Sequence, residues 1–186
     1  MPSPFSMFCL SLGKAAKVLS KNRISESDKS KALMTLGSGF SDVILPDQPL
    51  NLSDSEAESF STSAAKELQS LLDSYAKSFM GSNPSALEFR DFAAKADPLW
   101  REIAAANWNV VSEQELFRLN VASEGLNMVS SQIQAANNFS PDQTRDFLQD
   151  AFTNSANPMH LVLRNLFAAQ GVGVHHALKA LSMLDT

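Results

Sequence analysis

The chain has 186 residues, of which 44% are hydrophobic, so it is long enough for one domain with a substantial core. Seven glycines and eight prolines are few for a turn-rich β protein, and twelve phenylalanines favour a core or a partner surface over chemistry. The single cysteine, Cys9, excludes an internal disulfide and a cysteine-based metal cluster. No run reaches the roughly 18 apolar residues of a membrane span, so we expect none.

The net charge of −5 is unevenly distributed along the chain. Residues 1–34 hold six lysines and arginines against two acids, whereas residues 35–67 hold one base and six acids. A basic head before an acidic stretch indicates intermolecular contact or an arm that meets an anion. A solvated helix face is the alternative explanation.

Helix starts are marked by capping side chains. A capping residue precedes each of Pro84, Pro98, Pro141 and Pro158, and such a pair typically opens a helix. Gln143 lies three residues after Ser140 and completes a capping box, and Ser112 with Glu115 has the same spacing. These patterns predict five helix starts, at Asn83-Pro84, Asp97-Pro98, Ser112, Ser140-Pro141 and Asn157-Pro158.

Apolar residues recur with the helical period along most of the chain. Leu68, Leu72 and Phe79 belong to one such stripe, and Gly171 and Gly173 break the pattern near the end, as a helix stop and restart would. A short extended piece at 43–45 is compatible with the sequence. The predicted helices are 5–21, 26–36, 63–80, 84–96, 98–109, 113–136, 141–153, 158–169 and 174–184.

The predicted fold class is therefore all-α, a helical bundle of about six to seven helices with an N-terminal amphipathic helical arm. We expect three regions: a basic arm at 1–37, an acidic serine-rich loop at 38–61, and an all-α core domain at 62–186. The arm is a candidate for partner binding through the residues Phe8, Leu12, Lys14, Lys17 and Leu19. The lysines follow the first apolar patch, which is the wrong order for a secretory signal peptide.

The sequence predicts no catalytic residue, metal site or cofactor. His175 and His176 are adjacent and would point about 100° apart on a helix, so both should not face one metal ion. His160 is expected to cap its helix or face water. Glu88, Asp91 and Asp97 each have a structural role available, as first-turn acid, as i, i+4 partner of a lysine, and as helix cap.

Single arginines recur along the second half of the chain. A planar guanidinium suits phosphate as well as carboxylate, so arginines from successive helices could converge on a nucleic acid. Scattered surface salt bridges are the competing interpretation, and the acidic body argues against binding by bulk charge. The candidate nucleic-acid-binding residues are Arg90, Arg118, Arg145 and Arg164.

The stretch LLDSYAKSFMGSNPSALEFRDFAAKADPLW resembles the central part of the coat (nucleocapsid) proteins of flexible filamentous plant viruses. The family's aromatic–Arg–polar–aromatic motif would be Phe89-Arg90-Asp91-Phe92, and ELFRLNVASEGLNM at 115–128 is similar to a second family region. Where that region carries an aspartate, this chain has Phe117-Arg118-Leu119. The resemblance implies an all-α core, terminal arms that hook onto neighbouring subunits, and Arg90 in a pocket for single-stranded RNA.

Three functions remain open from the sequence. The first is a non-catalytic self-assembling helical protein, such as a filamentous coat subunit that binds single-stranded RNA, located in the cytoplasm or the virion. The second is a bacterial secreted effector or adaptor that is delivered into a host cell and binds a partner protein. The third is a small enzyme whose site one sequence does not reveal.

Overall fold

The computed structural model describes residues 1–184, and this part of the chain is all-α, as predicted. The described residues form eight helices and no strand, so the extended piece considered at 43–45 is not a strand. The chain divides into two compact units, unit 1 at Met1–Ser112 and unit 2 at Glu113–Thr186. The helices are α1 Pro4–Leu19, α2 Glu26–Gly39, α3 Asp54–Ser78, α4 Ala86–Ala106, α5 Trp108–Asn137, α6 Pro141–Thr153, α7 His160–Ala168 and α8 Val174–Met183.

The predicted start of α6 is confirmed, because Ser140 caps the helix and Gln143 returns a hydrogen bond to the Ser140 amide. The cap of α4 is Ser85, with Glu88 completing the box, so Asn83-Pro84 precedes the helix. The sequence has two possible capping residues here, Asn83 and Ser85, and the helix uses Ser85, for which Glu88 completes a capping box.

The prediction of a helix start at Asp97-Pro98 is wrong, because α4 continues through Pro98 without interruption. An interior proline costs about 3 kcal/mol of helix stability through a lost hydrogen bond and a clash. Phe92 and Trp100 lie two turns apart on the same face and are both buried, and a continuous helix keeps both in the core. Packing therefore outweighs the local proline signal.

The predicted Ser112–Glu115 box is also wrong. Ser112 lies inside α5, where its hydroxyl donates to the Asn109 carbonyl. The break between α4 and α5 is at Asn107, whose buried amide donates to the Ile103 carbonyl and to the Ser61 hydroxyl. The buried polar side chain at the break between the two helices is thus hydrogen-bonded.

At Asn157-Pro158 the helix begins two residues later than predicted, at His160. The Asn157 side chain accepts from the Met159 amide, and its carbonyl accepts from the His160 amide. This Asx turn leads into the helix. The stop and restart near the end of the chain is confirmed: Gly171 has φ 76°, and Gly173 is the residue before α8.

Residues 1–37 do not form a separate arm, so the predicted boundaries at 37 and 62 are wrong. Helix α1 packs against α2 and α3 inside unit 1, and Leu12 and Leu19 are buried there. The Ser6 hydroxyl donates to the Ala76 carbonyl, which fixes α1 against α3. A stripe of apolar residues cannot be told from a partner-binding stripe by sequence alone, because both need the same period.

The predicted acidic loop at 38–61 is shorter in the structure. Ser53 caps α3, and Asp54 and Glu56 occupy its first turn, where carboxylates interact favourably with the helix dipole. The connection between α2 and α3 therefore ends at Ser53, and most of the acidic cluster is helical. None of the described helices combines the length and apolar character needed to cross a membrane.

Each unit has its own core. Unit 1 is centred on Phe5, which contacts several aromatic rings at 5.1–6.5 Å, and on Trp100, which stacks on Phe40. In unit 2, Phe152 stacks on Phe167, and Gly125 of α5 lets the Phe167 ring approach closely. An added Cβ at Gly125 would lie 2.6 Å from that ring, which explains a glycine in mid-helix.

Candidate functional site

Unit 2 contains a cluster of four ionisable side chains, which we call the Glu115 cluster: Glu115, Arg118, His175 and His176. Glu115 and Arg118 lie one turn apart on α5, and the histidines occupy the first turn of α8. Arg118 is only 2% exposed, and His176 is buried as well. Charged groups are rarely buried without partners, so this cluster is the most unusual polar feature of the unit.

The two oxygens of Glu115 have different partners. Arg118 Nη1 donates to Oε1 at 3.0 Å, whereas His176 Nε2 lies 2.6 Å from Oε2 and His175 Nε2 lies 4.0 Å from the same atom. The two imidazole rings are 3.9 Å apart between centroids and tilted by 39°. The carboxylate therefore lies between a guanidinium on one side and two imidazoles on the other.

Hydrogen bonding determines the tautomer of His176. Its Nδ1 accepts from the Gly173 amide at 3.0 Å, so in the neutral ring the hydrogen lies on Nε2 and is donated to Glu115. Burial alone would raise the pKa of Glu115, but the neighbouring imidazoles of His175 and His176 lower it, and the net pKa lies below its ordinary value. Burial lowers the pKa of Arg118, and Glu115 partly offsets that effect.

The interpretation that His175 and His176 point apart is wrong. Their ligand nitrogens and a Glu115 oxygen all lie within 4.8 Å of one another. The 100° estimate applies to Cβ directions, but an imidazole nitrogen lies beyond Cγ, and the χ angles can swing it across one turn. The hydrogen bond from Gly173 turns the His176 ring back toward the start of α8, beside the ring of His175.

His160 does not join this cluster; its Nδ1 lies 2.9 Å from the Ala151 carbonyl oxygen. The one cysteine is in unit 1, where burial raises the pKa of Cys9 to about 12. Its thiol therefore stays protonated at neutral pH and serves packing. The Glu115 cluster contains acid–base groups and candidate metal ligands, but it contains no thiol.

Unit 1 has an open groove where α3 ends and α4 begins, which we call the α4 groove. It has a volume of about 860 Å³, and Arg90 also lines a neighbouring depression of about 570 Å³ beside Phe5 and Phe89. Leu87, at its edge, is 73% exposed. Its lining residues include Tyr75, Phe79, Leu87, Arg90, Asp91 and Lys95.

The acids of the α4 groove are already engaged within the unit. Asp91 accepts from the Tyr75 hydroxyl at 2.9 Å and pairs with Lys95 at 3.2 Å, which confirms the predicted i, i+4 pair. Glu88 is occupied by its capping box. Arg90 is exposed, and no ion pair joins it to another residue in the described part of the chain. Arg90 is thus the groove's available cation.

Helix α7 of unit 2 is apolar on two sides. Leu163 and Phe167 face the core of the unit, at 2% exposure each. Leu161, Val162 and Leu166 point away from this core, are 62%, 57% and 47% exposed, and form what we call the α7 apolar face. Several large apolar side chains exposed on one short helix are typical of an interaction surface, so this face is suited to a partner.

The structure separates the four arginines predicted to bind nucleic acid. Arg90 lies in the α4 groove, and Arg164 is exposed on α7. Arg118 is buried beside Glu115, and Arg145 donates to the Leu184 carbonyl. The last two are therefore engaged in contacts within unit 2, and burial makes Arg118 a poor phosphate ligand.

The proposed arm residues are also divided by the fold. Leu12 and Leu19 are core residues, Phe8 is partly buried against the core, and Lys14 and Lys17 are exposed.

No protein family, curated protein or solved structure gives a significant match to this chain. The surfaces described above therefore carry the functional argument.

Proposed function

We propose that this protein is a non-catalytic, self-assembling helical protein whose copies associate head to tail. The observation that carries the proposal is that each unit has an unpartnered apolar surface of its own. The α4 groove of unit 1 is concave, and the α7 apolar face of unit 2 is a convex helix side. A heterologous contact needs two different complementary surfaces on one chain.

Chemical complementarity supports pairing these two surfaces. The α4 groove offers aromatic rings and the exposed Leu87, and its acids are neutralised within the unit. The α7 apolar face offers three large aliphatic side chains, of which Val162 and Leu166 lie one helical turn apart. Helix-in-groove docking uses anchors of this kind, so the proposed occupant of the groove is α7 of a second copy.

The experiment uses a matched pair of substitutions. Leu87 and Leu161 are each the second residue of their helix and both are exposed. Glutamate at either position favours the helix dipole, so Leu87→Glu and Leu161→Glu should leave the fold intact while placing a charge in the contact. Each variant should be monomeric at concentrations where the wild-type chain assembles, as measured by sedimentation velocity.

Leu10→Glu is the control, because Leu10 is an exposed leucine of α1 that belongs to neither surface. It should assemble like the wild-type chain. A wild-type chain that stays monomeric at every concentration contradicts self-assembly. In that case the same surfaces would serve an adaptor that binds a different protein, the alternative kept from the sequence.

Single-stranded RNA is the second candidate ligand, favoured by Arg90 beside the exposed ring of Phe89. Bases stack on aromatic side chains while arginine contacts phosphate. The resemblance to filament coat proteins rests on the same segment. Fluorescence anisotropy with labelled single-stranded RNA tests it: Arg90→Ala should weaken binding and reduce its salt dependence, and Arg164→Ala is the comparison. Equal affinity of the Arg90→Ala and wild-type chains contradicts this role.

A further inference from the structure

We propose that Glu115, His175 and His176 bind one divalent transition-metal ion of the zinc class in unit 2. Two imidazole nitrogens and a carboxylate oxygen are ligands that zinc commonly takes in proteins, usually with a fourth position left for water or another ligand. The three ligand atoms lie within 4.8 Å of one another. A tetrahedral ion with bonds of about 2.0–2.1 Å needs them roughly 3.3 Å apart, so small side-chain rotations suffice.

The state of His175 gives the proposal a second support. Its Nε2 atom is buried and has no hydrogen-bond partner among the described residues. It faces Glu115 Oε2 at 4.0 Å, which is too long for a hydrogen bond and short enough for an ion to lie between them. A buried polar atom without a partner requires an explanation, and a bound cation provides one.

Arg118 is compatible with this arrangement although it is positively charged. Its guanidinium donates to Oε1 of Glu115, whereas both imidazoles approach Oε2. An ion on Oε2 therefore leaves the Arg118 bond intact, and that bond orients the carboxylate. Outer-shell partners of this kind hold ligands in position at most metal sites.

The His176 tautomer predicts a cost of metal binding. The hydrogen on its Nε2 has to leave that nitrogen when the ion binds. The ring stays neutral if the hydrogen moves to Nδ1, where it displaces the bond from the Gly173 amide. Binding therefore costs this hydrogen bond, and the site should be weaker than a pre-formed structural zinc site.

The test is isothermal titration calorimetry of the full chain, without a polyhistidine tag, with Zn²⁺. We expect one ion per chain and a rise of the melting temperature with added Zn²⁺. His175→Gln is the diagnostic variant, because His175 is partly exposed and its Nε2 forms no hydrogen bond that folding would lose. Losing this ligand should weaken binding by at least the 10–100-fold typical of outer-shell changes.

His160→Gln is the matched control, since His160 is the third histidine of the chain and lies outside the cluster. The His160→Gln variant should bind Zn²⁺ with wild-type affinity. Co²⁺ should give the visible absorption of a low-symmetry site in this variant and in the wild-type chain. No saturable Zn²⁺ binding by the wild-type chain overturns the proposal. Unchanged affinity of a folded His175→Gln variant, judged by circular dichroism, overturns it as well.

Discussion

The two units bury different kinds of side chain. The described polar groups buried in unit 1 are neutral, such as Ser6 on the Ala76 carbonyl and Asn107 on Ser61, around a centre of aromatic rings. Unit 2 places Arg118 and His176 inside, bonded to the half-buried Glu115. Unit 1 is therefore held by packing, whereas unit 2 also depends on a charged network that is costly if any member is lost.

This difference has a functional meaning. Replacing a buried ionic cluster by apolar residues is often neutral or stabilising, so its presence is weak support for a purely stabilising role. The metal site proposed above would give the Glu115 cluster a role that needs those ligands. The aromatic centre of unit 1 instead supports the shape of the α4 groove, because Tyr75 and Phe79 contact Phe5 on one side and line the groove on the other.

The largest expected effect of a single substitution is in the packing of unit 1. Trp100→Ala should lower the free energy of unfolding by about 3–5 kcal/mol, because the side chain is buried and the cavity cannot fully collapse. Chemical denaturation followed by circular dichroism measures this loss. Trp108, which is only partly buried, is the comparison, and equal losses for both tryptophans would contradict the described core.

The corresponding change in unit 2 is electrostatic. Arg118→Met should cost about 3 kcal/mol, because it removes one partner of a buried pair and leaves Glu115 less compensated. Adding Glu115→Gln should recover part of the loss, since the uncompensated charge is then gone. Strictly additive losses in this double-mutant cycle would show that the two side chains do not interact.

Replacing a glycine by alanine should affect stability differently in the two units. Gly125→Ala should destabilise by about 1–3 kcal/mol, because the new Cβ meets the buried Phe167 ring. At Gly81 a Cβ would meet nothing within 4 Å, so Gly81→Ala should change stability by less than about 0.5 kcal/mol. A stable, fully folded Gly125→Ala chain would contradict the contact, and thermal unfolding decides it.

Acidification should affect the two units in opposite directions. The lowered pKa of Glu115 stabilises unit 2 above the ordinary glutamate pKa of about 4.3, and this contribution is lost as pH falls through the lower folded pKa. Burial is the main reason that the pKa of Asp97 in unit 1 is raised, so its charged form is a penalty that disappears as pH falls.

Hydrogen exchange at neutral pH and at about pH 3 can follow unit 2, while fluorescence reports unit 1 because both tryptophans lie there. Glu115→Gln should flatten the pH response of unit 2. Asp97→Asn should raise the stability of unit 1 at neutral pH. An acid response of unit 2 that survives Glu115→Gln would assign the effect to other groups.

The smallest effect is expected on the groove surface of unit 1. Lys95 and Asp91 are both exposed, and salt screens such pairs, so Lys95→Ala should leave the unfolding transition unchanged. The same denaturation experiment checks this. A clear loss of stability would mean that the Tyr75–Asp91–Lys95 network contributes to the core of unit 1.

Periodicity and capping predicted most helices but fewer of the relationships between them. Leu68 and Leu72 were predicted to lie on one apolar stripe and both are buried, because a buried stripe needs only local spacing. The Asp97-Pro98 prediction failed where packing outweighed a local signal, and the separate arm failed because an apolar stripe does not name its partner. Both errors come from tertiary context, which overrides local propensity.

The candidate site was the least predictable part. Glu115 lies 60 residues or more from His175 and His176, and only the folded unit brings them together. Their adjacency in sequence suggested directions about 100° apart, because a helical wheel describes backbone positions and not ring nitrogens. The one usable signal was the short GVG stretch before the histidines, since a glycine cap leaves the His176 ring free to take the cap hydrogen bond.

Mixing the two matched variants tests head-to-tail assembly most directly. Leu87→Glu keeps the α7 apolar face, and Leu161→Glu keeps the α4 groove, so each chain retains one working surface. Sedimentation velocity should show monomers for each variant alone, a one-to-one dimer for the mixture, and larger species only for the wild-type chain. A mixture that remains monomeric, or a Leu87→Glu chain that assembles like the wild-type chain, would contradict the account.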